Sequence, residues 1–377
     1  MAERWILQLC HSHYGPFADV ARQYAALFKG SPYKVLTVYL TGEPSEAVRQ
    51  VSASDEVIFL DFSSKAVGGL KLAAIRALRK VAASRDFALV IAHRAKPTYI
   101  ACLATTLPVI SVHHAFGDYK RVSRRWLASA FRKRLSLLAV SDAVRDDIRR
   151  CLPDWPAEKI ETLHNRIDVA AVQAEIMPRG EARDALGLPR DIPVIGNVGR
   201  LHPDKDQATL LAGFAGALPG LPAGTLLAIA GSGPLEGALK AQAGALGITD
   251  RVRFLGQVPN VRRLFSAFDL FVLSSDHEPF GMVLLEAMAA GVPVLATDCG
   301  GAPEVVGEPS MLFPQGDEGT LAHRLMALFQ RGNETRREAL AQAASARLNV
   351  FFSDDAARIR FFTLPLSASL ANSVARP

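Results

Sequence analysis

Short continuous apolar runs rich in valine, isoleucine and leucine recur along this 377-residue chain, alternating with stretches of helical periodicity. Such runs predict strands buried on both faces, as in parallel sheets built from βαβ units. In the first half, strands are predicted at 5–9, 34–39, 57–61, 88–92, 109–112, 137–140 and 160–163, with helical patterns at 17–28, 69–83 and 142–151. A second series follows at 194–198, 226–230, 252–255, 270–273 and 294–296. Residues 169–191 hold Pro178-Arg179-Gly180 and Gly187-Leu188-Pro189 and lack a strong apolar strand, which predicts a linker with a short helix near 181–186. The expected organisation is α/β: a Rossmann-like domain at 1–168, the linker at 169–191, and a second Rossmann-like domain at 192–353. The remaining 354–377 begins as a helix and ends in a Ser- and Ala-rich tail, expected to fray from Leu366.

One run invites a different reading. Residues 207–235 carry no formal charge and are long enough to span a bilayer. Pro219-Gly220-Leu221-Pro222-Ala223-Gly224 in their middle would break such a helix, so a buried helix, a turn and a strand are expected instead. Hydrophobic residues at 49% and charged residues at 21% also fit a soluble globular chain. The four cysteines are far apart and form no CxxC pair, which predicts buried thiols in a reducing cytoplasm. The apolar run at 5–10 is too short for a signal-peptide core.

The net charge of +6 is unevenly spread. Residues 1–170 hold 25 Lys and Arg against 16 Asp and Glu, a net of +9, and the remainder holds 18 against 21, a net of −3. The surplus concentrates in Lys120-Arg121-Val122-Ser123-Arg124-Arg125-Trp126 and Phe131-Arg132-Lys133-Arg134, which together suit one basic amphipathic helix. Two readings fit it: a surface for anionic headgroups or a phosphorylated acceptor, or an outer helix whose apolar stripe packs on the sheet. No nucleic-acid-binding motif accompanies the charge, so nucleic acid is not an expected partner.

The segment Glu278-Pro279-Phe280-Gly281-Met282-Val283-Leu284-Leu285-Glu286 carries the most specific chemistry. Its two carboxylates stand eight positions apart around a glycine that opens an apolar helix. Free N–H groups at a helix start suit a diphosphate, and flanking carboxylates can grip neutral hydroxyls beside it. Arg200 and Lys205, after the first strand of the second series, offer a planar fork and a compact charge for bridged phosphates. Asp204-Lys205-Asp206 is also a literal DxD, but an interposed cation disfavours a divalent ion, so no metal is expected. Gly231-Ser232-Gly233 lacks the full glycine fingerprint of dinucleotide oxidoreductases.

Taken together, these residues resemble the E-x7-E motif and phosphate-binding Arg and Lys of retaining GT-B glycosyltransferases of family 4, including lipopolysaccharide-core enzymes. The resemblance implies two doubly wound domains facing across a cleft, with a C-terminal helix crossing back to the first. It implies no cofactor, a nucleotide-sugar donor (UDP-linked by preference), and a glycan or glycolipid acceptor. Glu278 would hold the sugar, Glu286 the ribose, and Arg200 and Lys205 the leaving diphosphate. Phe280 and Gly281 would belong to the same donor contact. Gly231 would line the nucleotide site and Val258 would meet the base through its backbone. In the first half the resemblance assigns Gly15 to a loop near the diphosphate and His114 to the cleft histidine, with His113 the alternative. Only one glycine stands in that loop where many members have two, and Arg166 replaces a small residue in Asn165-Arg166-Ile167-Asp168. Basic charge in the first half suits an acidic acceptor, a lipopolysaccharide core for preference, met at the cytoplasmic membrane face. The alternatives are another GT-B enzyme, such as a nucleotide-sugar epimerase, and an inactive glycan-binding protein of this fold.

Overall fold

A computed structural model describes residues 3–14, 17–368 and 370, so the expectation for Gly15 lies outside the described residues. The chain forms two compact units, one comprising 1–165 with 354–377 and the other 166–353.

The first unit is built on seven parallel strands: β1 (Arg4–Cys10), β2 (Tyr33–Tyr39), β3 (Glu56–Phe59), β4 (Phe87–His93), β5 (Val109–His113), β6 (Leu135–Ala139) and β7 (Ile160–Thr162). Their order is β3-β2-β1-β4-β5-β6-β7. The second unit has six: β8 (Val194–Val198), β9 (Leu226–Ala230), β10 (Val252–Gly256), β11 (Leu270–Leu273), β12 (Val294–Thr297) and β13 (Leu312–Phe313), in the order β10-β9-β8-β11-β12-β13. Central strands such as β5, β6, β8 and β9 are buried at every residue, which explains their largely apolar sequence. In each sheet the strand order reverses next to the first strand, at β1/β4 and at β8/β11. Ligands of open parallel sheets bind beyond the carboxyl ends of strands at such a switch point.

All twelve predicted strands are present, with ends shifted by a few residues. Two-residue β13 was not anticipated, because so short a run carries no readable periodicity. The charge-free run resolves into the helix Gln207–Ala217, a turn and β9, and no helix among the described residues is long and apolar enough to cross a membrane. The stretch read as a linker forms two short helices, Val169–Glu175 and Arg179–Ala185, within the second unit. Arg183 ties it down. Its buried guanidinium bonds Asp269 at 2.8 Å and the carbonyls of Pro189, Arg190, Ile192 and Ala267.

The basic stretch departs from expectation. A helix covers only Val122–Ala130, because the chain must then turn to enter β6 at Leu135. Arg134 leaves the surface to donate to the carbonyls of Leu107 and Cys102, and Arg124 pairs with Asp118. Trp126 and Val122, one turn apart, stand 75% and 68% exposed, so this part of the apolar stripe does not pack on the sheet. Of the tail expected to fray from Leu366, Ser367 and Leu370 are buried, and residues 369 and 371–377 lie outside the described residues. The helix Asp354–Thr363 holds this segment to the first unit through an Arg22–Asp354 ion pair of 2.7 Å and edge-to-face contacts of Phe361 and Phe362 with Phe28.

Candidate functional site

The second unit gathers its predicted residues at the β8/β11 switch point. Lys205 ends a 3₁₀ turn after β8, and its Nζ lies 2.8 Å from Glu278 Oε2 and 3.5 Å from Ser275 Oγ. Ser275 donates to the same carboxylate oxygen at 3.2 Å, and Ser274 donates to the Lys205 carbonyl at 2.9 Å. Glu278 is 8% exposed, so its charge is balanced by a cation and a hydroxyl rather than by bulk water. Its carbonyl accepts from Gly301 N at 2.9 Å. Thr297 and Cys299 donate to the Ser275 carbonyl, so the loop after β12 clamps the loop after β11. Ser274, Ser275 and Thr297 were not singled out in the sequence. For Ser275 the available signal was its place two residues after a buried strand and three residues before Glu278.

Gly281 caps the helix Met282–Ala289 with φ +99°, and a Cβ there would come within 2.9 Å of Leu284 Cδ1. It supplies no side-chain acceptor, which leaves first-turn N–H groups available to an anion. Glu286 is half-buried in the second turn. The Phe280 ring, however, is buried edge-to-face on Phe352, so this residue can offer a ligand little but its backbone.

Arg200 is largely exposed and pairs with Asp204 at 3.3 Å. Burial opposes ionisation of Asp204, yet the hydrogen bond from His202 and the charges of Lys205 and Arg200 hold its carboxyl below the usual range. Asp206 caps the helix Gln207–Ala217 through the backbone and hydroxyl of Thr209. Both carboxylates of the DxD sequence are therefore engaged within the protein.

The glycines after β9 serve loop packing. At Gly231, φ is +146° and a Cβ would lie 1.8 Å from the Gly199 carbonyl oxygen; at Gly233 it would lie 2.3 Å from that of Leu201. Gly231 N also donates to the Gly256 carbonyl at 2.7 Å. The loops after β8, β9 and β10 are thereby fastened together, with Val258 half-buried in the last.

In the first unit the two candidate histidines separate. His113 is fully buried, with Nδ1 2.8 Å from Asp118 and Nε2 near Ser111 and Tyr119. His114 is half-buried, with Nε2 3.4 Å from His93 Nδ1. Burial, then the charges of His113 and Arg94, depress its pKa to about 3, so it is neutral near pH 7. Its geometry suits a neutral hydrogen-bonding role. His93, Arg94 and Lys96, at the end of β4, were missed, although a His-Arg-x-Lys sequence closing a strand was visible.

A family model for glycosyl transferases group 1 matches residues 178–347, and one for Glycosyltransferase Family 4 matches 9–171. The 2-deoxystreptamine N-acetyl-D-glucosaminyltransferase of Streptomyces fradiae is 30% identical over 273 residues, covering 68% of this chain and 62% of that protein. The D-inositol 3-phosphate glycosyltransferase of Mycobacterium sp. (strain KMS) is 34% identical over 264 residues, covering 63% and 57%. The lipopolysaccharide core biosynthesis mannosyltransferase LpsB of Rhizobium meliloti is 38% identical over 130 residues, covering 33% and 37%. The match thus spans about three-fifths of the length of the first two relatives. Among solved structures, a glycosyltransferase from Rickettsia africae ESF-5 superposes with a TM-score of 0.82 at 16% identity, over 100% of both chains. Anabaena Alr3699/HepE, in complex with UDP and glucose, gives 0.75 at 21% identity, over 98% of this chain and 100% of that one. These likenesses establish the GT-B fold.

Proposed function

Because the chain belongs to the glycosyltransferases described by the Family 4 and group 1 models, we propose that it moves a hexose from a UDP-sugar to a glycan or glycolipid with retained anomeric configuration. The observation that carries this reading is the Lys205–Glu278–Ser275 cluster beside the uncapped helix at the β8/β11 switch point. Arg200 and Lys205 neutralise the diphosphate, whose negative charge grows as it departs. Glu278 accepts hydrogen bonds from the sugar hydroxyls, and Glu286 from the ribose. The bond from the anomeric carbon to the phosphate oxygen breaks, and the acceptor oxygen bonds the same carbon on the same face. The acceptor's hydroxyl proton passes to the leaving phosphate oxygen. No metal is needed, a reading supported by the engagement of Asp204 and Asp206 within the protein.

For the acceptor, we favour a lipopolysaccharide core. The basic first half and the likeness to LpsB support this choice. Exposed Trp126 and Val122 beside Arg121, Arg125, Arg132 and Lys133 suit contact with an anionic cytoplasmic membrane face. Incubation with a panel of UDP-sugars and isolated core oligosaccharide tests the reading. UDP release that depends on acceptor, with an α-linked product from an α-linked donor, is expected. No UDP release from any donor would sink it, and an inverted product would remove retention.

A further inference from the structure

At the switch point of the first sheet, positive charge collects without a balancing acid: among the described residues Lys71 Nζ donates only to the Gly69 carbonyl at 2.6 Å, and the Arg94 guanidinium lies 4.9 Å over the Phe17 ring. Arg94 and Lys96 follow β4, and His11 follows β1. Lys71 opens the helix Leu72–Ala82, and its Nζ sits 4.7 Å from the ring centroid of Tyr99, one turn beyond Lys96. None of the three cations has an ion-pair partner among the described residues. The nearby carboxylate, Asp118, is already held by His113 and Arg124.

Two local features run against ordinary helix electrostatics. The helices Leu72–Ala82 and Ala95–Ala104 both begin with a cation at the N-cap, no side-chain cap and no acid in the first turn. Positive charge at a helix start is unfavourable unless an anion joins it. Both cations also sit in strained backbone. Lys71 has φ +56°, and Arg94 has φ +74° with ψ +166°, a region occupied almost only by glycine. His11 Nδ1 is shielded from solvent and has no hydrogen-bond partner among the described residues. Burial and then repulsion from Lys96 and Arg94 lower the His11 pKa, and burial and then Lys96 lower that of Lys71. The cluster is therefore coupled and short of negative charge.

We infer that Lys71, Arg94 and Lys96 form a subsite for a phosphate group of the acceptor, at the carboxyl edge of the first sheet beside His11. This rests on the glycosyl-transfer reading, and it makes the acceptor a phosphorylated one. Three cations and two helix starts match a dianion in charge and in donor type.

Thermal unfolding of the full chain, saturated with UDP to occupy the donor loops, is followed against inorganic phosphate. Sodium acetate at matched ionic strength is the control. A saturable rise in Tm with phosphate and none with acetate is expected. Lys71→Gly and Arg94→Gly relieve the positive φ, so they should fold at least as well as the parent while weakening phosphate binding about tenfold or more. Lys96→Gln, at an unstrained position, should weaken it similarly, and Lys96→Arg should keep it. All four variants should retain the UDP-induced shift. An equal response to acetate, no saturable response to phosphate, or unchanged phosphate affinity in the charge-removing variants overturns the subsite. Failure to bind UDP would count against the donor reading alone, since phosphate binding and its loss are read in the same samples.

Discussion

The Lys205–Glu278 pair makes a prediction in which two substitutions at one contact pull ligand affinity in opposite directions. The Lys205 ammonium lies 2.8 Å from the Glu278 carboxylate, with the two side chains 20% and 10% exposed. Removing one partner of a fully buried pair costs about 3–5 kcal/mol. An exposed pair is worth at most about 1 kcal/mol. This intermediate burial places the coupling at about 1–3 kcal/mol. A diphosphate arriving at Lys205 must compete with Glu278 for the ammonium. Glu278→Gln keeps the shape, removes the competitor and frees the cation, so UDP should bind about tenfold more tightly, the equivalent of about 1.4 kcal/mol. Turnover should nevertheless fall by about 10²–10³, because the neutral amide holds the sugar less firmly as charge develops. Lys205→Ala should lose both affinity and turnover. Calorimetric titration of UDP, kinetics of UDP release and a double-mutant cycle on unfolding free energy supply the three readouts. If both substitutions weaken UDP binding alike, or the cycle shows coupling below about 0.5 kcal/mol, the competition argument is wrong.

Other contacts give independent tests. Asp269→Asn should destabilise the second unit by about 3–5 kcal/mol in chemical denaturation, because it leaves the buried Arg183 guanidinium without its countercharge. An effect below about 1 kcal/mol would mean the five-acceptor network is not what holds that segment. His114, with its folded pKa near 3, below the ordinary 6.5, contributes stability that is present above about pH 6.5 and is lost as pH falls toward 3. From pH 7 to 5 the parent should lose about 2 kcal/mol more than His114→Asn, measured by urea midpoints at both values. Trp126 emission should shift to the blue with anionic vesicles, and reversing charge at Arg121, Arg125, Arg132 and Lys133 should weaken sedimentation by about 1 kcal/mol per site. Unchanged sedimentation would leave this helix as ordinary solvated surface.

Much of the architecture could be read directly because parallel strands buried on both faces need largely apolar sequence, a demand that the central strands meet locally. The glycine opening the helix Met282–Ala289 was legible for a similar reason: the left-handed cap at Gly281 belongs to that residue alone. Contacts between distant segments were not legible. Arg183 looked like one more charged residue in a linker, and only the fold brings Asp269 and four carbonyls around it. Arg124 and Arg134 counted toward a basic surface until their partners removed them from it.

The amino-acid sequence by itself determined the alternation of strands and helices, the doubled α/β plan and the residue types able to bind a diphosphate and a sugar. Tertiary structure alone decided which of these groups meet. It joined Lys205 to Glu278 across 73 positions, separated His113 from His114, and set Lys71 beside the helix that carries Lys96. Local propensity acts over a few residues, whereas charge pairing and burial depend on distance in space, and only strand order and loop packing set that distance.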